Sequence, residues 1–271
     1  MLDITYGLEI ANQTVCAEEL IPLLTSYQML PQLLREIIID RAIASITCTK
    51  EELAAATQQF FQRHKITNTV EHEAWLQRYK INDTQFQALV TRKLKIEKWK
   101  EVTWGAKLKS YFLQRKQHLD RVIYSMIRTQ DPGVAQELYF RIVAGEQSFS
   151  ELAHNYSIGS EADTNGIVGP VELGTLHPGL AKQLRVSQPG QLWQPLPFDK
   201  YFMIVRLEKL IPARLDKFMH QRLLRELFEN WLAEQINQLP DADRAWMEVN
   251  RKPGRVKPIT AASPNAFCMK T

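Results

Sequence analysis

The stretch GIVGPVELGTLHPGL, residues 166–180, narrows the folding choices most, because it holds four Gly and two Pro in fifteen positions. Gly and Pro punctuate structure, yet this run lies between segments that read as regular elements. FSELAHNYS (149–157) patterns as a short helix, and YFMIVRLEKL (201–210) as a strand rich in β-branched and aromatic residues. Before the run, RVIYSMIR (121–128) is strand-like, and DPGVAQELYFRIVAGE (131–146) is a helix with Pro132 in its first turn and Gly145 at its end. After it, QLWQPLPF (191–198) precedes the last strand. Strands and helices do not alternate regularly here, so a doubly wound sheet is excluded and a small α+β domain over 121–212 is predicted.

The rest of the chain is helical. AEELIPLLTSY (17–27), LPQLLREIIIDRAIASI (30–46) and EELAAATQQFFQRH (51–64) repeat apolar residues at the i, i+3, i+4, i+7 spacing of amphipathic helices. Thr49 followed by Glu52 predicts a capping box at the start of the third. EHEAWLQRY (71–79) and NDTQFQALVTRKLKIEKWKEV (82–102) continue the pattern, the latter capped by Asn82 or Asp83. ITYGLEIANQTV (4–15) reads as a short hairpin or an extended arm. One more helix is predicted over 213–239, with an apolar stripe of Leu215, Phe218, Leu223, Leu227, Trp231 and Ile236. That stripe is too long for a small domain already furnished with helices, so the helix is assigned to complete a helical domain over 1–120. Residues 240–271 are polar and without periodicity, and read as a disordered tail.

Composition excludes several classes. Hydrophobic residues make up 45% and charged residues 24%, as in ordinary soluble proteins. No run approaches the roughly 20 apolar residues of a membrane span. MLDITYGLEIANQ has neither a basic start nor an apolar core of the secretory kind. Three cysteines without a CxxC spacing predict reduced thiols and a cytoplasmic location, with no metal or cofactor. A net charge of +4 does not by itself imply nucleic acid. The segment 92–117 carries nine Lys/Arg against two Glu, with Trp99, Trp104, Tyr111 and Phe112 interleaved. That pattern fits an RNA or anionic-membrane surface, or a solvated helix face with its aromatics in the core, which is the favoured reading.

From 121 to 210 the order of features resembles the parvulin-type peptidyl-prolyl isomerases: a strand, a helix ending AGE, FSELAHNYS, the crossing GIVGPVELG, the small helix LHPGLAKQL, PGQLWQPLPF and a closing strand. The helical flanks resemble the SurA- and PrsA-type foldases, most closely a branch of cyanobacterial proteins, some near export machinery. The resemblance implies a small antiparallel-sheet domain acting on X-Pro bonds of proline-containing clients without a cofactor. It also implies that the crossing strand runs under a substrate groove, with Gly166 and Gly169 allowing close passage and Gly174 and Pro178 leading into the pocket helix. Val168, Leu176 and Leu180 fall where the family holds the proline ring. The positions at which parvulins carry His, then Cys or Asp, then His hold Ser125, then Ile158 or Gly159, then Phe202 or Met203. The apolar groove is thus kept while the polar group is replaced.

Ser125 is the candidate catalytic donor, with Tyr124 as the alternative, and Phe202 and Met203 join the substrate-binding set. On spacing alone Leu176 and Leu180 read as core; the resemblance moves them to the pocket. His154 and His177 match no parvulin catalytic position, and an assembly of Ser157, His177 and Asp163 lacks the GxSxG elbow of a hydrolase. Two further functions stay open: a non-catalytic peptide-binding chaperone or adaptor reusing the groove, and, more remotely, a nucleic-acid or membrane binder using the basic segment.

Overall fold

The structure is a computed structural model that describes residues 7–10 and 13–240, so the predicted tail lies outside the described residues apart from Pro240. In chain order the elements are β1 (Gly7–Ile10), β2 (Gln13–Cys16), α1 (Ala17–Ser26), α2 (Leu30–Ile43), α3 (Lys50–His64), α4 (Thr69–Tyr79) and α5 (Asp83–Trp104). Then follow α6 (Leu108–Leu119), β3 (Arg121–Thr129), α7 (Pro132–Ala144), α8 (Phe149–Tyr156), β4 (Ile167–Glu172), α9 (Pro178–Val186), β5 (Leu192–Phe198), β6 (Tyr201–Ile211) and α10 (Lys217–Asn237). The class is α+β, as the sequence predicts. The chain divides into two compact units: one gathers residues up to Thr103 with those from Arg225 onward, and the other is Trp104–Leu224.

In the helical unit, β1 and β2 pair antiparallel, which selects the hairpin over the extended arm. The capping box forms: the Glu52 N–H donates to Thr49 Oγ1 (3.3 Å) and the Thr49 N–H to the Glu52 carboxylate (2.8 Å). Asn82, not Asp83, caps α5, accepting from the Gln85 N–H at 2.9 Å. Phe60 meets the edges of Trp75 and Phe86 at 5.0 and 5.2 Å, and Phe86 is buried with Leu30, Ile39 and Ile43. The end of α10 supplies buried Phe228 and Leu232, with the Trp99 ring 4.6 Å from Trp231. Lys100, from the basic segment, is itself buried, its ammonium on Glu97 (2.8 Å) and over the Phe228 ring. Trp99 and Lys100 thus serve the core of this unit.

The structure corrects two helical readings. The basic segment is not one helix, because a short 3-10 turn at Gly105–Lys107 separates α5 from α6, at a residue costly within a helix. The last helix begins at Lys217 rather than 213, because Asp216 stops the chain short as an N-cap, its carboxylate accepting from the Met219 N–H at 2.8 Å. Its buried side chains are Leu223, Leu224, Phe228 and Leu232, while Phe218 is 74% exposed.

The other unit is built on a four-stranded antiparallel sheet in the order β4-β3-β6-β5. Alternation along β3 and β6 gives the sheet two apolar faces. On one, Val122, Tyr124 and Met126 join Met203, Val205 and Leu207 beneath Leu180, Ala181 and Leu184 of α9. On the other, Ile127 and Ile204 pack with Leu138 of α7 and with Phe149, Leu152 and Ala153 of α8. The glycine crossing becomes β4, an edge strand tied to β3 by the Met126 N–H donating to Gly166 O at 2.8 Å.

Candidate active site

The α9 face does not close completely. Val168 from β4, Leu176 ahead of α9 and Phe198 at the end of β5 are half-buried and pack on the cluster, whose floor includes Leu180 and Met203, 8% and 5% exposed. The result is a partly open apolar surface at the edge of a rigid sheet. The local sequence explains it. Pro178 starts α9, the His177 Nδ1 accepts the Gly179 N–H at 3.2 Å, and Leu180 and Leu184 fall on one side of the short helix. His177 also sets the edge of its ring against Phe198, 4.5 Å between centroids. Val168, Leu176, Leu180 and Met203, from three separate stretches of the sequence, are thereby brought together.

Two other predicted residues do not join them. Ser125 pairs with Arg206 of β6 and Ile167 of β4, so its side chain leaves on the α7–α8 face. There it is buried, and its hydroxyl donates to the Glu208 carboxylate (2.6 Å), which also takes Arg206 Nε (2.7 Å). Phe202, opposite Thr129 and Pro197, is on that same face, one residue out of phase with Met203. Next to Ser125 in β3, it is Tyr124 that reaches the α9 face, opposite Leu207 and Val168. His154, on α8, has its Nδ1 3.4 Å from the Ala162 carbonyl. Ser157 and His177 are each engaged elsewhere, so no Ser-His-Asp assembly forms with Asp163.

At the end of the apolar surface is a polar group that periodicity does not reveal. Arg128 of β3 lies opposite Met203, so the two side chains share the α9 face. Its Nε and Nη2 donate to the two carboxylate oxygens of Glu161 at 3.1 and 2.7 Å. Glu161 is buried, and its Oε1 also accepts the Ser157 hydroxyl at 2.6 Å. The Arg128 N–H donates to that same hydroxyl oxygen at 3.0 Å, and the guanidinium lies 5.6 Å from the Tyr201 ring centre. Gly159 borders the pair so closely that a Cβ there would stand 2.2 Å from Glu161 and 2.3 Å from Arg128. The only hint in the sequence is an arginine near the end of a largely apolar strand.

The electrostatics are settled by these contacts. Burial raises the Glu161 carboxyl, but hydrogen bonds from Arg128 and Ser157 outweigh it and hold the group below its ordinary value of 4.5. Arg128 is raised, first by its bond to Glu161. Tyr124 is raised by burial and then by the Glu161 charge, so its phenol stays protonated. Glu172 is lowered, first by its bond to Arg222. Carboxyls depressed on folding contribute stability that is full above their unfolded values, near 4.5, and is lost as pH falls through the folded ones. The melting temperature of the Trp104–Leu224 unit is therefore expected to be level above about pH 5 and to fall below it. Glu161→Gln should lower it at neutral pH and flatten the acid limb. An unchanged acid limb, read from melts followed by tryptophan fluorescence, would remove Glu161 from this role.

Among the described residues no group of His, Cys, Asp or Glu is arranged to hold a metal ion, and no helix is long and apolar enough to cross a membrane. Comparison with known proteins finds similar solved structures and one matching family. PrsA from Bacillus cereus, described as a peptidylprolyl isomerase, is 16% identical with a TM-score of 0.44, over 93% of this chain and 95% of that one. The parvulin domain of PpiD from E. coli is 27% identical with a TM-score of 0.32, over 36% of this chain and 95% of its own. A SurA-like chaperone of Campylobacter jejuni is 14% identical with a TM-score of 0.35, over 92% and 99%. No curated protein matches. Residues 132–209, which hold β4, α9, β5 and nearly all of β6, match the rotamase family of PPIC-type peptidyl-prolyl isomerase domains. The chain therefore carries a PPIC-type peptidyl-prolyl isomerase domain.

Proposed function

We propose that the chain is a foldase whose isomerase domain seats the proline ring of an X-Pro segment on the apolar surface formed by Val168, Leu176, Leu180 and Met203. One observation carries this reading: the segment that matches the isomerase family is the one whose β4, α9 and β6 side chains converge on a half-open apolar surface. Rotation about the X-Pro bond faces a barrier of about 18–20 kcal/mol and breaks no bond, so neither nucleophile nor metal is obligatory. Its transition state is a twisted amide that has lost resonance. A site that holds the ring dry and grips the flanking peptide favours that state over the planar one. Clients are proline-containing segments of unfolded or partly folded proteins. We place the protein in the cytoplasm on its sparse cysteines, and the foldase resemblance supports clients on their way to export machinery.

Leu176→Asp tests the seat. Leu176 is half-buried at the rim, so the substitution should leave the sheet intact while setting an unpaired charge where an apolar ring must lie. Affinity for a short Ala-Pro peptide, measured by titration, is expected to fall by at least about tenfold, which is 1.4 kcal/mol. Unaltered affinity would move the binding site away from the α9 face.

A further inference from the structure

We infer that Arg128, its guanidinium fixed by Glu161, is the catalytic donor that hydrogen-bonds the prolyl nitrogen as the amide twists. The inference rests on the isomerase reading above and names the group that acts in it. In a planar amide the nitrogen lone pair is delocalised and accepts no hydrogen bond. In the twisted state it is localised and basic. A donor aimed at that nitrogen therefore binds the transition state and not the ground state, which is the interaction that raises kcat.

Arg128 has the position and the rigidity for this. It shares the α9 face with Met203 of the proposed seat. One edge of the guanidinium is locked on a carboxylate whose side chain is only 2% exposed, while the arginine side chain is 30% exposed. Nε and Nη2 are used by Glu161, and Nη1 makes no hydrogen bond among the described residues. The ring of Tyr201 on one side and Gly159, with no space for a Cβ, on the other confine the group. A buried acid thus holds a partly exposed arginine on the same sheet face as the apolar surface, with Nη1 left over to donate. The alternatives are less suited: the Ser125 hydroxyl is on the far face, bound to Glu208, and His177 Nδ1 is committed to the Gly179 N–H. Glu161 is a positioning residue, acting through Arg128.

The test is exchange NMR of a short Ala-Pro peptide with the full chain, comparing wild type, Arg128→Ala and Arg128→Lys. Losing a charge-assisted hydrogen bond made only in the transition state should lower kcat by about 10- to 100-fold. Peptide affinity should stay within about twofold, since the ground state never used the bond. Millimolar guanidinium ion should restore part of the Arg128→Ala rate, which a merely structural role would not produce. Arg128→Lys, which keeps a cation against Glu161, should retain the fold with an intermediate rate, and carries the test if the alanine variant melts early. An unchanged kcat in the lysine and alanine variants, or a loss confined to affinity with no rescue, would overturn the assignment while leaving the isomerase reading in place. A wild-type protein that does not accelerate exchange would instead overturn that reading, and this assignment with it.

Discussion

Gly169→Ala is expected to destabilise the Trp104–Leu224 unit severely, whereas Gly190→Ala is not. Both glycines have positive φ, +118° and +84°. Their surroundings differ. A Cβ on Gly169 would stand 2.5 Å from the Val122 carbonyl oxygen and 3.2 Å from Ile123 Cα, both backbone of the neighbouring β3. A Cβ on Gly190 would meet nothing within 4 Å. Backbone strain costs about 1–3 kcal/mol at either site. At Gly169 overpacking against an unyielding strand adds about 1–3 kcal/mol more. The sum is a large part of the roughly 5–15 kcal/mol that holds a domain folded. Urea melts should show Gly169→Ala losing at least about twice as much as Gly190→Ala. Equal losses would mean that β4 does not pass β3 at this distance.

Leu232→Ala should remove about 2–5 kcal/mol from the helical unit, the usual range for emptying a fully buried leucine site. Leu232 has no exposed surface, and the neighbouring stripe of α10 carries buried Phe228 and the Trp231 ring against Trp99. Phe218→Ala is the control, because that larger side chain is 74% exposed and its loss should stay within about 0.5 kcal/mol. The contrast reverses the naive ranking by residue size. Equal effects in thermal melts would contradict the burial of this stripe.

Much of this architecture is legible in the sequence, because its signals are local. Caps such as Thr49 with Glu52, and the apolar spacing of α2 or α3, involve residues three or four apart. The glycine crossing, the small helix after it and the closing strand are recognisable by order alone. The functional face is less legible, for a geometric reason. Side chains alternate on a strand, so an error of one residue moves a group to the other side of the sheet. Around Val122–Tyr124 the pairing of β3 with both neighbours shifts register. Ser125 therefore faces the helices α7 and α8, and Tyr124 faces α9. The same alternation separates Phe202 from Met203, of which only Met203 belongs to the groove. The Arg128–Glu161 pair is 33 residues apart and forms only when the loop around Gly159 folds back onto β3. No periodicity reports such a contact. In α10 apolar spacing alone does not mark the N-cap at Asp216, and it places Phe218 in a stripe whose buried part begins at Leu223.

The most direct measurement is whether a peptide seated on the α9 face isomerises faster than it does free in solution. Exchange spectroscopy on an Ala-Pro peptide, with catalytic amounts of the full chain and of Leu176→Asp, measures this without a coupled protease. The prediction is accelerated cis–trans exchange with the wild-type protein, lost in parallel with binding in Leu176→Asp. A peptide that binds the wild-type protein at this face, yet exchanges no faster than in buffer, would contradict the isomerase account and leave a peptide-binding chaperone in its place.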